Sequence, residues 1–444
     1  MKSKIILMTM AALLLVGCSG AGSGDGYIAD DPGGDQEYET DANGNKVVKI
    51  LFHVDSKSAE GMAYKKRVDA FNAAYAEQKI KAAPTFKART TGGADYEKQL
   101  IAAQTDGTLA DVITLDAPNC ASYADSGLLY NITNSFTTEE QNDFLSLNKY
   151  KDRIFGLPIQ ESSAGFYYNK NIFNAAGIDV SGYSVENPWT FAQFKEVCQK
   201  LKDAGKTAVD MRLDATKDET ATYLLYPLIY AAGGDFVSSD GFTAKGYFDK
   251  KESKDGFRFI KELVSSGYTN YTIGATDFFT GQVGMYLSSG WTIPELDNKF
   301  PETFPNRDSW GLLPYPKEVT RASATGSWSY AVTRNGMGDK EPAIELIKWM
   351  ASAESSTVVT NATGMIPNRK SCNPNYAPGS PEKVLLDQLE QTGKQRPATV
   401  GYPQFSTAFS NIIYKLRDND VDQTVNDAVA NLQLELDKLN QEQE

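Results

Sequence analysis

Several residue classes are scarce in this 444-residue chain, and each scarcity excludes something. Histidine occurs once, as His53, which rules out the two-histidine zinc helix and leaves little room for a histidine-based hydrolase. Set inside an apolar run, His53 reads as a satisfied core or strand-edge histidine. Cysteine occurs four times, with Cys120, Cys198 and Cys372 far apart and no CxxC pair. Neither a structural zinc site nor a disulfide framework is suggested; at most one disulfide could form, and three buried free thiols are expected. No excess of basic charge exists: the formal net charge is −13, against sequence-independent nucleic-acid binding. GxGxxG opening a βα unit, the phosphate-binding P-loop and the GxSxG elbow are all missing. Mean hydropathy is negative, at −0.40, so a polytopic membrane protein is excluded.

The apolar run that does exist is at the N-terminus. Lys2 and Lys4 precede Ile5 to Val16, an h-region too short for an ordinary spanning helix. It ends at Leu15–Val16–Gly17–Cys18, which resembles the bacterial lipobox, so residues 1–17 read as a signal peptide. Cys18 is then the expected acyl acceptor and membrane anchor. Residues 18–45 are rich in Gly and Asp/Glu and read as a flexible acidic tether. Asp41 to Asn45 fails as a calcium loop, because Lys46 stands where glycine is needed.

The remaining length suits two domains. Val47–His53 is a β-rich run, followed by Tyr64, Val68, Phe71 and Tyr75 at helical spacing. Asp111–Leu115 is a second short strand, ending at Asp116. Ile154–Ile159 and Gly165–Asn169 are strand-like, with polar Gln160–Glu161–Ser162–Ser163 between them. Thr190 and Gln193 form a capping box ahead of an apolar helical face closed by Gly205. Helices are expected from about Glu219 to Ala232, from Gly256 to Ser266, from Pro342 on, and in two final segments near 404–417 and 420–439. Gly281 to Trp291 reads as a buried strand ending in Ser288–Ser289–Gly290, and Trp310–Tyr315 and Ser327–Thr333 are again strand-like. The class is α/β. In such folds ligands gather at the carboxyl ends of strands, where Asp116 and Trp291 both fall. A strand-end tryptophan is also a common core plug. Aromatics are plentiful, with 23 Tyr, 21 Phe and 5 Trp, a composition that fills cores and also builds sugar-stacking platforms.

Five stretches in order resemble one family. They are Asp111–Asp116 leading to Tyr123–Leu129; Phe155–Gly156–Leu157–Pro158 with Phe166–Lys170; Trp189–Phe194; Gly281–Trp291; and Gly326–Trp328 followed by Ala343–Trp349 and Gly364–Arg369. Together they are similar to the extracellular solute-binding proteins of carbohydrate ABC importers, the group that includes maltose-binding protein. The resemblance implies a two-lobed periplasmic-binding-protein-like fold of type II, each lobe a sheet flanked by helices. Lobe one would take 46–159 plus 309–364, and lobe two 160–308 plus 365–444, with hinge crossovers near Gln160, Ser309 and Met365.

The same resemblance implies a non-enzymatic, extracytoplasmic lipid-anchored receptor, expected as a monomer without cofactor or metal. Its partners would be a mono- or oligosaccharide, the importer's permease and the membrane. Binding residues carried over are Trp291 and Trp328 as stacking platforms, Asp116 and Glu161 as hydroxyl acceptors, and Gln160 and Ser162 beside them. Arg369 is a hydroxyl donor or a salt-bridge residue, Tyr402 and Phe405 form a wall, and Asp55 and Ser56 lie in the first strand-to-helix loop. The alternatives are a surface glycoside hydrolase using Asp116 and Glu161, a glycan-capture lipoprotein, and a receptor for a non-sugar solute.

Overall fold

The computed structural model describes residues 33–89, 94–215, 219–326 and 328–442. The expected signal peptide, Cys18 and the expected tether up to residue 32 lie outside the described residues. Twelve strands are described: β1 Lys46–Phe52, β2 Ile80–Phe86, β3 Val112–Asp116, β4 Asn148–Tyr150, β5 Arg153–Pro158, β6 Ala164–Asn169, β7 Thr207–Asp210, β8 Val283–Ser289, β9 Trp310–Leu313, β10 Ser323–Ala324, β11 Trp328–Val332 and β12 Gly393–Lys394.

They build two main sheets. The first runs β2-β1-β3-β11-β5-β4, and the second runs β7-β8-β6-β9, with a small β10-β12 pair beside it. β1 lies parallel to β2 and β3, while β11 is antiparallel to β3 and β5. Each sheet has its own apolar core. In lobe one, Tyr64, Val68 and Phe71 of the helix Ala59–Ala74 are buried, as their spacing predicts. In lobe two, the Thr190–Gln193 capping box is present and Phe191, Phe194, Val197, Cys198 and Leu201 face inward. The last helix, Val421–Gln441, is capped by Asp420 accepting from the Gln423 N–H. Cys120 and Cys198 are buried and Cys372 is half-buried; all three are free thiols.

The chain departs from the expected lobe boundaries in three places. β9 pairs with β6 in the second sheet, so Ser309 is no crossover. Residues 309–324 belong to lobe two, and the return to lobe one falls just before β11. The reason is register: Phe166 to Asn169 of β6 pair with Leu313 to Trp310, extending the lobe-two sheet by one strand. At the third crossover, Arg369, Lys370 and Ser371 still bind Asp143 and Asn142 of lobe one, so the chain leaves lobe one after Met365 rather than at it. Finally, residues 33–45 are not free tether. Gln36 pairs with Met337, Thr40 pairs with Lys46, and the Tyr38 ring is buried in the lobe-one core. One aromatic side chain and paired backbone offset the ordering entropy that the glycines and charges predict.

Candidate functional site

Three crossings join the lobes: residues 159–163, the link between β10 and β11, and the stretch after Gly364. Beside them lies a cavity of about 600 Å³ lined from both lobes. Lobe one contributes the ends of β1, β3 and β11. Trp328 stands directly opposite Asp116 in the antiparallel ladder, so the register itself brings these two predicted residues together. Lobe two contributes Trp291, Tyr223, Glu219, Arg212 and Arg396.

Trp291 follows β8 in a single turn of 3-10 helix, Gly290–Thr292. The turn is possible because Gly290 has no side chain. A Cβ there would sit 2.3 Å from the Gly364 carbonyl oxygen, and one on Gly364, at φ +71, would sit 2.4 Å from that of Gly290. Two glycines thus let a lobe-two turn lie directly on the carboxyl end of the lobe-one helix Ala353–Thr363. Trp291 remains 39% exposed, with the Tyr223 ring centroid 5.9 Å away at an interplanar angle of 42°.

Trp328 is placed differently from the expected second platform. It is only 8% exposed, and one face is covered by the His53 imidazole, stacked at 3.5 Å and 4°. The Arg89 guanidinium lies 4.7 Å from its ring centroid as well. Trp328 lines the cavity, but the broadly open indole is Trp291.

Asp116 is held by a partner that the sequence did not reveal. Both terminal nitrogens of Arg396 bond its carboxylate, at 2.9 and 2.6 Å, and the Arg396 Nη1 also reaches Glu219 at 2.6 Å. Glu219 further accepts from the Tyr402 hydroxyl and from Ser406 at 2.5 Å. Arg396 and Glu219 belong to lobe two and Asp116 to lobe one, so this is an interlobe ion cluster, with the Arg396 side chain 3% exposed. Burial works against the Arg396 charge, but Asp116, Tyr402 and Glu219 outweigh it and keep the guanidinium protonated. Burial also raises the Glu219 pKa, with Arg396 opposing it.

Around the hinge the predicted residues divide by strand alternation. Gln160 and Ser162 face the cavity, whereas Glu161 faces the other side of the crossing, lining a second cavity of about 340 Å³ with Ser329. Successive side chains on extended backbone point to opposite faces, so a sequence match uncertain by one residue inverts the assignment. Glu161 pairs with Ile366 across the hinge, accepts from the Ser146 hydroxyl, and is pushed up to about 7 by burial. Gln160 accepts from Thr363 at 2.8 Å, and Ser162 contacts the Tyr223 hydroxyl at 2.7 Å. Because Asp116 and Glu161 face different cavities, they do not form the acid–base pair that a hydrolase would need.

Other predicted residues fall outside the cleft. Arg369 donates to the Ala351 carbonyl at 2.7 Å, pairs with Asp143 at 3.2 Å and covers the Phe144 ring at 3.9 Å, so it is a salt-bridge residue on lobe one. Phe405 is fully buried among Phe236, Phe248 and Phe409 in the lobe-two core. Tyr402 supports Glu219 instead of forming a wall. Asp55 lies at the cavity rim and accepts from the Lys57 N–H, while Ser56 is exposed outside the cavity. Among the described residues no cluster of three His, Cys, Asp or Glu is arranged for a metal.

An exposed indole, carboxylates and a guanidinium suit a solute with apolar faces and a hydroxyl rim. Arg396, Glu219 and Tyr223 were not found from sequence. Arg396 sits between Gly393 and Pro397 with no motif around it, and Glu219 carried only the weak signal of an acid in a helix's first turn.

Residues 55–357 match the model of the bacterial extracellular solute-binding proteins, and the chain belongs to that family. It is a family of binding proteins, not of enzymes. A putative binding protein of Brucella abortus (strain 2308) is 24% identical over 295 residues, covering 65% of this chain and 69% of that relative. The fold is similar to that of a cyclic α-maltosyl-1,6-maltose binding protein from Arthrobacter globiformis, with a TM-score of 0.73 and 23% identity over 88% of this chain and 99% of that one. It is also similar to a Mycobacterium tuberculosis protein solved with glycerophosphocholine, with a TM-score of 0.71 and 20% identity over 89% and 100% of the two chains. These likenesses establish the two-lobed α/β fold. Among the described residues no helix is long and apolar enough to cross a membrane.

Proposed function

We propose that this solute-binding protein captures a mono- or oligosaccharide between its lobes and delivers it to the permease of an ABC importer, held at the membrane by lipid on Cys18. The observation that carries the ligand class is the 39% exposed Trp291, facing a cavity of about 600 Å³ beside a buried carboxylate–guanidinium cluster. Sugar rings present C–H faces to indole and hydroxyls to carboxylates and guanidinium, and the cavity supplies both. The volume suits a ligand of one to a few sugar units. A cleft lined from both lobes couples binding to closure, since ligand contacts in both halves favour the closed state.

Isothermal titration against maltotriose, cellotriose, xylotriose, mannotriose and their monosaccharides, with glycerophosphocholine alongside, tests the ligand class. Saturable binding of at least one glycan is expected. Binding of glycerophosphocholine with no response to any glycan would replace the sugar with a phosphodiester solute. Mass spectrometry of membrane-extracted protein tests the anchor: a diacylated Cys18 at the mature N-terminus is expected, and an unmodified secreted chain contradicts it.

A further inference from the structure

The single histidine sits at the cavity wall, and its surroundings are unusual. His53 is 1% exposed, yet it lines the cavity, and its Nε2 has no hydrogen-bond partner. A buried polar atom left without a partner requires an explanation. The opposite ring atom, Nδ1, is 3.0 Å from the Thr114 hydroxyl oxygen. That hydroxyl accepts from the His53 backbone N–H at 3.1 Å, and the other acceptors open to its proton, Tyr96 and the Leu51 carbonyl, lie farther off at 3.2 and 3.3 Å. We therefore assign the Thr114 proton to Nδ1, which puts the ring proton on Nε2.

The nearest charged oxygen to Nε2 is Oε1 of Glu60, at 3.9 Å. That separation is too long for a direct hydrogen bond and short enough for one oxygen atom to bridge. Glu60 also lines the cavity, in the first turn of the helix Ala59–Ala74, and it is fixed by the Tyr64 hydroxyl at 2.5 Å. The imidazole cannot swing away, because Trp328 is stacked on it at 3.5 Å. Donor and acceptor are thus held before any ligand arrives.

We propose that His53 and Glu60 form a subsite that reads one ligand hydroxyl, which accepts from His53 Nε2–H and donates to the Glu60 carboxyl. The proposal deepens the sugar reading above and rests on it for the nature of the ligand. A hydroxyl both accepts and donates, so it serves the two groups at once, whereas a deoxygenated carbon leaves the buried Nε2–H unpaired and an ether offers no donor to the Glu60 oxygen, which keeps only its bond from Tyr64. Trp328 then acts chiefly by positioning His53 rather than as a stacking face of its own. Only the neutral ring lets Nδ1 accept from Thr114 while Nε2–H donates, and burial together with the nearby Arg89 charge holds the His53 pKa well below its usual value.

With one histidine in the chain, nitrogen-15 histidine labelling of the full protein reports this residue alone. Without ligand, the spectrum is expected to show the neutral Nε2–H tautomer from pH 5.5 to 8. An Nδ1–H tautomer, or protonation near the ordinary histidine value, would overturn the subsite whether or not any sugar binds. With a glycan that calorimetry shows to bind, the Nε2 resonance is expected to move and saturate at the same ligand concentration. A bound glycan that leaves the resonance unmoved refutes the subsite. If no glycan of the panel binds, the sugar reading fails, and the ligand-free spectrum still decides the geometry. His53→Phe preserves the stack on Trp328 and is expected to weaken binding at least ~tenfold. Should it fold poorly, Glu60→Gln supplies the second variant, expected at ~threefold or more, and unchanged affinity in either folded variant contradicts the assignment.

Discussion

Replacing Arg396 with methionine is the most informative perturbation of this molecule. Methionine retains much of the length and apolar stem of arginine while removing the guanidinium. Asp116 and Glu219 would be left facing each other's charge at side-chain exposures of 10% and 20%. Removing one partner of a buried ion pair typically costs about 3–5 kcal/mol, because the remaining charge stays desolvated. At ~1.4 kcal/mol per decade, even about 3 kcal/mol is a factor of roughly 100 in an equilibrium. The Asp116–Arg396 contact crosses between lobes, so part of that loss should appear as lobe opening and part as lowered stability.

Two measurements separate the parts. Thermal unfolding of Arg396→Met should fall by several degrees, and small-angle scattering should report a larger radius of gyration without ligand. Adding Asp116→Asn should recover part of both changes, since the stranded lobe-one charge is gone. Arg396→Lys should lie between, because a lysine cannot make the bidentate contact. An Arg396→Met protein with unchanged melting temperature and unchanged scattering would refute the argument that this cluster ties the lobes together.

Further predictions concern single groups. Trp291→Ala should weaken glycan binding by ~10–100-fold with little change in melting temperature, the mark of an exposed platform; unfolding with spared affinity would identify a core residue. Glu161 has its folded pKa raised to about 7, so the native state holds a proton that the unfolded chain releases near pH 4.5. Its contribution is therefore present below about pH 4.5 and lost as pH rises through 7, an effect of ~3 kcal/mol for about 2.5 units. Glu161→Gln should flatten that part of the stability–pH curve and be the more stable protein at pH 8; identical curves would show the carboxylate to be ordinary. Gly290→Ala should displace the Trp291 turn, because its Cβ would meet the Gly364 carbonyl at 2.3 Å, costing ~2 kcal/mol or more and reducing affinity; a crystal structure with the turn unmoved would contradict it.

Elements with strong periodicity or an explicit cap were legible in the sequence, and those defined by tertiary pairing were not. The helix after Thr190 and the final helix after Asp420 announced themselves through capping residues and apolar spacing. β2 went unread because Pro84 interrupts it, and Pro84 is tolerated there since β2 is the edge of its sheet. The helix Ala353–Thr363 is rich in serine and β-branched residues, and packing against the helix Ala59–Ala74 rather than propensity holds it. β9 looked like the start of lobe one because membership of a sheet is a matter of pairing, which no local pattern states.

The site divides in the same way. Strand ends placed Asp116, Trp291 and Trp328 at one cavity, and the alternation of the hinge put Gln160 and Ser162 there with Glu161 behind. Arg396 is 280 residues from its partner Asp116, and Glu219 is 177 residues from Arg396. Contacts at such separations carry no signature in a single sequence. His53 reads from the sequence as a satisfied core or strand-edge residue; it is buried, but what the sequence could not show is that its Nε2 lacks a partner at the cavity wall.

The proposed function holds sugar in the interlobe cavity between Trp291 and the Asp116–Arg396–Glu219 cluster. A crystal structure of the protein with whichever glycan binds most tightly in calorimetry tests it directly. A sugar ring should lie on the Trp291 indole, with hydroxyls bonded to the ion cluster and to His53 and Glu60. A glycan bound anywhere else, or one in the cavity with Trp291 untouched, would contradict it.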